Sequence, residues 1–394
     1  MRVESVDPYY LAMPEITDVG DGSQDMLLVR VQVGGAVGWG ECEASPLTSL
    51  AAMVTPPSHS ACRPVLEAVL GEQLDSPTDI ARIARRVTER CFDLLQADHA
   101  WSGIEIALWD ALGKALDKPV RALMGMGASQ GAWTPYASVL FGEDAAETRQ
   151  KAERIAAAGF SAAKFGWARF GSGSPDQDRE QIRAARLGLG HRATLMVDAG
   201  TVFGEDVGAA AARLPALEES QVTWLEEPFS AGALDCYAQL SRLGRSVAIA
   251  GGEGSHNATQ AINLMTHGRV TYIQVDTGRI GGIGPARVVA LKARSLGREY
   301  VNHTFTSHLA LASSLHPFAD WPEGGMAEYP LELSLLARNL VPRPIELCQD
   351  GLIRLPDGPG LGIRLDIDAV RPFLREVTIT VGEDPVYSTP PLLP

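Results

Sequence analysis

Seven ionisable residues recur along the chain, each at or just after the end of a short apolar run. They are Lys164, Asp198, Glu226, Glu253, Asp276, His303 and Glu328, and consecutive members lie 23 to 34 residues apart. One strand-and-helix unit of a parallel-strand barrel takes about 30 residues. The spacing therefore predicts that the seven side chains meet at the carboxyl-terminal mouth of a barrel, where barrel enzymes build their active sites.

Three of the seven are carboxylates from successive runs, namely Asp198, Glu226 and Glu253. Oxygen donors with no histidine or cysteine beside them favour a hard cation that keeps water or substrate oxygens in its shell, so Mg²⁺ rather than Zn²⁺. Glu227 follows Glu226 directly, and neighbouring residues of a strand point to opposite faces. Glu226 is the predicted ligand, and Glu227 is expected behind it or at the rim.

Asp276 and His303 come from neighbouring units, so the carboxylate can accept a hydrogen bond from one imidazole nitrogen. Such a pair fixes the tautomer and leaves the other nitrogen as a base near neutral pH. His256, three residues after Glu253, is a further histidine expected near the mouth, and no role is given to it.

Each residue also has a simple structural explanation when it is taken alone. An acidic residue after a strand is often a helix N-cap, a single histidine is often structural, and Lys164 could extend its amine to solvent. These explanations weaken when seven such residues recur at the same place in consecutive units.

The elements that would position these residues are visible from about residue 133 onward. Eight strand-like runs alternate with amphipathic or helix-like segments, which predicts an α/β fold with a (β/α) barrel. An open doubly wound sheet is the alternative, but no G-x-G-x-x-G motif opens a helix after the first strand.

The first 130 residues have a different texture, typical of an α+β unit. "MLLVRVQV" followed by "GGAVGWGEC" predicts a hairpin, and residues 102–120 predict a helix that stops at Lys118 and Pro119. We expect a capping domain over residues 1–130, a barrel over 131–344 and a turn-rich tail, 345–394, that packs back on the cap. The polar, glycine-containing segment 13–25 is expected to act as a lid.

Composition limits the partners. The net charge of −14 argues against nucleic acid or an anionic membrane, although a bound metal would still allow an anionic substrate. Five scattered cysteines favour reduced thiols, and neither a signal sequence nor an apolar run of about 18 residues is visible. We expect a cytoplasmic protein.

Ten motifs in this order resemble the enolase superfamily, in its mandelate racemase branch, over nearly the whole chain. They are "LVRVQVGGAVGWGE", "IALWDALGKAL", "GFSAAKFG", "LMVDAG", "WLEEPF", "GGE", "VDTGRIGG", "NH", "AEY" and "PDGPGLGI".

The resemblance implies a (β/α)₇β TIM-type barrel, capped by an α+β domain that both chain termini build. It implies that the three carboxylates bind Mg²⁺ and that the protein removes a proton α to the carboxylate of a small substrate. Asp276 and His303 match the base dyad, and Glu328 matches a residue that donates a hydrogen bond to the substrate carboxylate. Family members form dimers or octamers, so a homo-oligomer is expected.

The sequence departs from the family at the end of the second barrel strand. This branch commonly carries Lys-X-Lys there, with the second lysine as a base, whereas this chain reads Lys164-Phe165-Gly166. We interpret Lys164 as offsetting negative charge on the substrate and the enediolate. Gly166 would leave room beside Trp167 for the substrate chain, so Lys164, Trp167 and Glu328 are the predicted substrate-binding residues.

A single evident base favours dehydration of a sugar acid to a 2-keto acid, a carbon–oxygen lyase reaction in which His303 takes the α-proton. A racemase or epimerase that uses Lys164 as second base is the alternative. A catalytically silent carboxylate-binding protein would not need an intact triad and dyad. Metal-dependent phosphoryl hydrolysis would need a phosphate-binding glycine loop or clustered arginines, and neither is evident.

Overall fold

The computed structural model describes residues 1–17, 24–42, 45–127, 131–244, 246–321 and 325–393. The N-terminal part of these residues forms an α+β cap. Its antiparallel strands are β1 (Val3–Ala12), β2 (Asp25–Val33) and β3 (Ala36–Cys42). Its helices are α1 (Pro46–Val54), α2 (Val65–Val69), α3 (Pro77–Arg90), α4 (Ala97–Ala115) and α5 (Val120–Leu123). Residues 18–23 of the predicted lid lie outside the described residues.

The predicted hairpin is confirmed as β2 and β3, which pair from Leu27 with Cys42 to Val33 with Ala36. Its two turn residues, Gly34 and Gly35, have φ of 55° and 82°. Two consecutive left-handed residues make the turn whose twist matches the flanking strands, and glycine adopts this conformation without steric cost.

Helix α4 differs at both ends from the predicted segment 102–120. It begins at Ala97 because Ala97, Ala100 and Trp101 continue its buried face. It ends at Ala115, before Lys118, because Asp117 takes a left-handed φ of 51° that the helix cannot accommodate.

Eight parallel strands of the described chain form the nearly closed barrel that the spacing predicted. They are β4 (Ala132–Leu140), β5 (Ala162–Gly166), β6 (Thr194–Asp198), β7 (Val222–Glu226), β8 (Ala248–Gly251), β9 (Tyr272–Asp276), β10 (Glu299–His303) and β11 (Gly325–Pro330). The ladder runs from β10 back to β4 and on to β11. At the seam between β10 and β11, the Asn302 amide accepts from Glu328 N at 2.9 Å and donates to Glu328 O at 3.3 Å.

Helices follow the barrel strands along the chain. They are α6 (Ala145–Ala157), α7 (Pro175–Leu189), α8 (Val207–Ala211), α9 (Leu214–Glu219), α10 (Leu234–Leu243), α11 (Ala258–Thr266), α12 (Ile283–Ser295), α13 (His308–Leu315) and a 3₁₀ turn, His316–Phe318.

An apolar layer fills the barrel directly beneath its mouth. Tyr136, Ala162, Met196, Trp224, Ala250 and Val301 form this layer, and all are buried. Ala162, Met196, Trp224 and Val301 each precede one of the seven ionisable residues by two positions. Because side chains two residues apart on a strand share a face, the same alternation that packs the layer aims the ionisable residues at the mouth.

The C-terminal segment returns to the cap. It contains α14 (Leu335–Leu340), β12 (Ile353–Arg354), α15 (Ile367–Val370), a 3₁₀ turn (Arg371–Phe373), β13 (Leu374–Arg375), β14 (Thr378–Val381) and β15 (Asp384–Ser388). β13 pairs with β1, and the Tyr387 hydroxyl donates to Pro8 O at 2.7 Å. β12 instead pairs with β4 of the barrel, so the exact domain boundaries at 130/131 and 344/345 stay a prediction.

Among the described residues, no helix combines the length and the apolar character needed to cross a bilayer.

Candidate active site

All seven ionisable residues lie at one end of the barrel. Four of them are the last residues of their strands, Glu328 lies in the carboxyl-terminal half of β11, Lys164 is the central residue of β5, and Glu253 follows the end of β8 by two residues. All are buried, with at most 6% of any residue exposed. The structure therefore brings together the whole set predicted from spacing.

Lys164 lies at the centre of the group. Its ammonium nitrogen pairs with Glu226 Oε1, lies 2.8 Å from Glu328 Oε1 and 3.6 Å from Asp198 Oδ2, and stands over the Tyr136 ring at 5.9 Å. Burial acts to lower the pKa of Lys164, but the carboxylates of Glu226 and Glu328 outweigh it and raise that pKa well above its ordinary value. Lys164 is therefore a cation at neutral pH, buried with partners that are distant in sequence.

Asp198, Glu226 and Glu253 each offer one carboxylate oxygen, and the three atoms lie within 4.8 Å of one another. Gly200 N donates to Asp198 Oδ1 at 2.8 Å, and the Trp224 indole donates to Glu226 Oε2 at 2.9 Å. These bonds hold one carboxylate oxygen of Asp198 and one of Glu226, and they thereby orient the other oxygen of each.

The acidic group fits a metal cation by its charge as well as its geometry. Burial raises the pKa of Glu226 to about 8, against the opposing effect of Lys164, and the nearby carboxylates of Asp198, Glu328 and Glu253 add to the rise. Several buried carboxylates at this density need more positive charge than Lys164 supplies. An oxygen-only cluster of this kind could bind a hard divalent ion.

His303 and Asp276 form a close pair at the ends of β10 and β9. His303 Nδ1 lies 2.8 Å from Asp276 Oδ2, and Gly278 N donates to Asp276 Oδ1 at 2.6 Å. His303 Nε2 faces the acidic group, 3.1 Å from Glu253 Oε2 and 4.0 Å from Glu328 Oε2. Asp276 can therefore hold the proton on Nδ1 while Nε2 points into the site.

The protonated imidazole is strongly favoured in this arrangement. Burial acts to lower the pKa of His303, but the carboxylates of Glu253 and Glu328 and the bond to Asp276 together raise it well above its ordinary value. Glu328 also accepts from Thr304 N at 2.8 Å. Although burial acts to raise the pKa of Glu328, Lys164 and His303 lower it below its ordinary value, so its carboxyl is an acceptor here.

Glu227 braces the loop that carries Glu253. Its backbone φ is 35°, and its carboxylate accepts from Gly252 N at 3.1 Å and from Gly254 N at 3.4 Å. Burial, with the nearby charge of Glu253, raises the pKa of Glu227 to about 7. Glu227 is 5% exposed, so of the two expected positions it takes the one behind the ligands and not the rim.

The end of β5 is closed where the family motif places a second lysine. Gly166 pairs with Asp198 in the ladder, and a Cβ built at Gly166 would lie 2.6 Å from Asp198 Cβ. Two left-handed residues follow, Trp167 with φ of 56° and Ala168 with φ of 53°. The Trp167 ring covers Gly200, whose added Cβ would be 2.7 Å from it. Glycine at 166 therefore makes room for Asp198 on the neighbouring strand.

Trp167 lines a small cavity at the mouth of the barrel, and its role in substrate binding stays a prediction. Its lining residues come from the ends of four strands and the loops after them: Ser138, Val139, Leu140, Lys164, Gly166, Trp167, Asp198, His303 and Phe305.

Sequence reasoning missed several residues that complete the site. Ser138 and Phe305 line the cavity, Trp224 orients Glu226, and Arg279 Nη1 lies 3.4 Å from Glu253 Oε1. Ser138 and Phe305 could have been found by the rule that identified the other residues, since Ser138 lies near the carboxyl end of β4 and Phe305 follows β10 by two residues. The roles of Trp224 and Arg279 depend on side-chain packing, which spacing does not report.

The sequence predicts no role for His256, and the structure places it at the border between cap and barrel. Its ring centroid lies 5.8 Å from that of His99 in α4.

Comparison with known proteins agrees with this architecture. Residues 5–125 match the model of the mandelate racemase/muconate lactonizing enzyme N-terminal domain, and residues 147–370 match the model of the enolase C-terminal domain-like family.

Relatives of known name carry out different reactions. A D-galactarolactone cycloisomerase of Agrobacterium fabrum is 30% identical over 70% of this chain and 73% of its own length. A D-gluconate dehydratase of Thermoproteus tenax is 26% identical over 98% of this chain and 77% of its own length.

A crystal structure described as a predicted mandelate racemase from Rhodobacter sphaeroides is 53% identical. The structural match covers 99% of this chain and 99% of that chain, with a TM-score of 0.93. The matched domains, the capped barrel and these relatives together show that the chain belongs to the enolase superfamily, in its mandelate racemase/muconate lactonizing enzyme branch.

Proposed function

We propose that this protein is a Mg²⁺-dependent enzyme that removes the α-proton of a sugar acid and eliminates the β-hydroxyl to give a 2-keto acid. One observation carries this proposal. The imidazole of His303, paired with the Asp276 carboxylate, faces the acidic group. The position where the family carries a second lysine base is Gly166 here, and a Cβ added there would lie only 2.6 Å from Asp198 Cβ.

His303 is the base in this proposal, and Nε2 is the atom that takes the proton. A cation bound by the acidic group would offset the carboxylates of Glu253 and Glu328 that favour protonated His303, and the neutral imidazole is then the form that binds substrate. Asp276 keeps the other proton on Nδ1 and fixes the ring. The cavity in front of the ring is also lined by Lys164, so a substrate carboxylate near this ammonium would place its α-carbon within reach of the imidazole. General-base catalysis of this kind contributes typically 10²–10⁴-fold to a rate.

Lys164 stabilises the negative charge that develops on the substrate carboxylate as the proton leaves. Its charge is fixed by Glu226 and Glu328 and it needs no reorganisation, which makes it a preorganised counterion. Glu328 accepts hydrogen bonds in the structure, so donation to the substrate carboxylate would require it to take up a proton when substrate binds.

Asp198, Glu226 and Glu253 would hold Mg²⁺, and the ion would supply Lewis-acid stabilisation of the charge formed on the substrate carboxylate.

The elimination step balances with His303 alone. The α-carbon to hydrogen bond breaks toward Nε2, a carbon–carbon double bond forms, and the β-carbon to oxygen bond breaks. The protonated imidazole then returns its proton to the leaving oxygen on the same face, so water departs. The remaining enol tautomerises to the 2-keto acid, and His303 is regenerated as a neutral base.

A second candidate is cycloisomerisation, favoured by the 30% identical relative named D-galactarolactone cycloisomerase. A β-oxygen that belongs to a ring would leave by the same proton transfer, and the ring would open without loss of water. Racemisation fits less well, because Lys164, the lysine that lines the cavity in the described part of the chain, is engaged by Glu226 and Glu328.

A screen separates these reactions. Aldonic acids, aldaric acids and their lactones are incubated with the protein and Mg²⁺ in deuterated water and followed by NMR. Dehydration gives a 2-keto acid with loss of water, and cycloisomerisation consumes only the lactones. Deuterium in recovered acid without any keto product would support a racemase and overturn the proposal. The Glu253→Gln protein, purified identically, controls for contaminating enzymes.

A further inference from the structure

Helix α4 of the cap holds the backbone that joins β9 to α12 in the barrel. We name residues 277–284 the β9–α12 segment. The Ser102 hydroxyl accepts from Gly281 N at 2.8 Å. One turn further along α4, Glu105 Oε2 accepts from Ile283 N at 2.7 Å and Glu105 Oε1 accepts from Gly284 N at 2.8 Å.

The contact is tight and buried. Ser102 and Glu105 are 0% and 1% exposed, and the Trp109 indole fixes Glu105 through a third bond of 2.8 Å. Gly282 has φ of 104°, and a Cβ added to it would lie 2.1 Å from Glu105 Oε2. Any residue with a Cβ at position 282 would be strained by this backbone conformation and would collide with the Glu105 carboxylate. The contact between Glu105 and the β9–α12 segment therefore requires glycine at 282.

The other end of the same segment lies in the candidate active site. Gly278 N donates to Asp276 Oδ1 at 2.6 Å, and Asp276 Oδ2 holds His303. Arg279 Nη1 lies 3.4 Å from both Oε1 and the backbone oxygen of Glu253. Only Ile280 separates Arg279 from Gly281, so a shift of the backbone at the α4 contact would reach Asp276 and Glu253.

We propose that Glu105 and Ser102 are positioning residues: from the cap, they hold the β9–α12 segment so that Asp276 orients His303 and Arg279 orients Glu253. This inference rests on the proposed roles of His303 as base and of Glu253 as metal ligand. On this inference, residues of the cap help to position the side chains of the candidate active site at the barrel mouth.

Asp110 provides a matched control on the same helix. It is a buried carboxylate that accepts from Trp39 N and Leu361 N, both at 2.9 Å, and from Lys114 Nζ at 2.6 Å. Its partners lie in β3, in α4 itself and in the C-terminal segment, away from the β9–α12 segment. Loss of a buried carboxylate from α4 can thus be separated from loss of the contact with this segment.

The test measures hydrogen–deuterium exchange by mass spectrometry and Mg²⁺ affinity by calorimetry on full-length wild-type, Glu105→Gln, Ser102→Ala and Asp110→Asn proteins. In Glu105→Gln an amide N–H faces backbone N–H donors. We expect exchange of the β9–α12 segment to rise about tenfold and Mg²⁺ affinity to fall about tenfold, the lower end for loss of an outer-shell partner. Ser102→Ala removes one acceptor, so it too should raise exchange of the β9–α12 segment and lower Mg²⁺ affinity. If Glu105→Gln does not fold, the Ser102→Ala result tests the inference.

Asp110→Asn should leave both quantities at the wild-type level. With an acid that turns over, Glu105→Gln should lower kcat with KM unchanged, and Asp110→Asn should not. Equal effects in the Glu105 and Asp110 variants, or wild-type exchange and affinity in Glu105→Gln and Ser102→Ala, would overturn the inference. Hydrogen exchange and metal affinity are measured without substrate. A wrong assignment of the reaction can therefore be distinguished from a wrong assignment of Glu105 and Ser102 as positioning residues.

Discussion

A single methyl group at position 166 should weaken metal binding by this protein. Gly166 is paired with Asp198 across β5 and β6, and a Cβ added at Gly166 would lie 2.6 Å from Asp198 Cβ. Ordinary van der Waals contacts of such an atom begin at 3.4 Å, so Asp198 or the β5 backbone would have to move by about 0.8 Å.

That displacement is large for a metal ligand. Ligand distances in working sites hold to within about 0.2 Å, and even the loss of a partner behind a ligand typically costs 10–100-fold in affinity. We therefore expect Gly166→Ala to weaken Mg²⁺ binding by about 10–100-fold, or roughly 1.4 to 2.7 kcal/mol. The fold should survive, because the change lies at the mouth.

The assay is calorimetric titration of metal-stripped protein with Mg²⁺ and, separately, Mn²⁺, with circular dichroism to check the fold. Gly254→Ala is the matched control, since Gly254 also adjoins a carboxylate of the triad, but its added Cβ would meet Ala231 Cβ at 3.5 Å and Glu227 no closer than 3.8 Å. A folded Gly166→Ala protein that binds both ions as tightly as wild type would refute the reasoning that Asp198 is a ligand held against Gly166.

Three further predictions address the metal, the charge and the cap. Glu253→Gln should lose metal affinity by at least about a hundredfold in the same titration and keep its circular dichroism spectrum; an unfolded protein would instead indicate a structural role for Glu253. Lys164→Ala should lower kcat by two to four decades, about 3 to 5 kcal/mol, with metal still bound, because it removes charge stabilisation but no ligand; a wild-type rate would contradict this. Burial raises the pKa of Glu105 from 4.5 to about 7 against the hydrogen bonds it accepts, so the folded protein binds this proton more tightly than the unfolded chain. The stability that protonated Glu105 contributes is then complete below pH 4.5 and is lost as pH rises to about 7, by about 3 kcal/mol. In urea titrations, the free energy of unfolding of wild type relative to Glu105→Gln should therefore fall over that range. Parallel pH dependences of the two proteins would contradict this prediction.

The barrel and the ends of its strands could be predicted from the sequence because both follow short-range rules. Alternating apolar runs mark strands, and two-residue periodicity places Lys164, Asp198, Glu226 and His303 on the faces where the structure has them. The hairpin at Gly34 and Gly35 could also be predicted from local sequence, since two glycines supply the two left-handed residues of the turn.

Features that depend on packing between distant segments could not be predicted in this way. The sequence around Lys164 offers no acidic neighbour, yet its ammonium meets Glu226 and Glu328, 62 and 164 residues later. The sequence suggests that Gly166 leaves space for a substrate, whereas in the structure Asp198 occupies the space beside Gly166. The early start of α4 at Ala97 reflects burial of that turn within the cap and not a capping residue.

The role of His303 as the base is tested by α-proton exchange of His303→Asn in deuterated water, measured by NMR on an acid that wild type dehydrates. Metal occupancy is checked in the same sample, and Lys164→Ala is measured alongside. If His303 is the single base, His303→Asn shows neither exchange nor dehydration, while Lys164→Ala still exchanges slowly. Exchange that persists in His303→Asn and disappears in Lys164→Ala would contradict the account and make Lys164 the base.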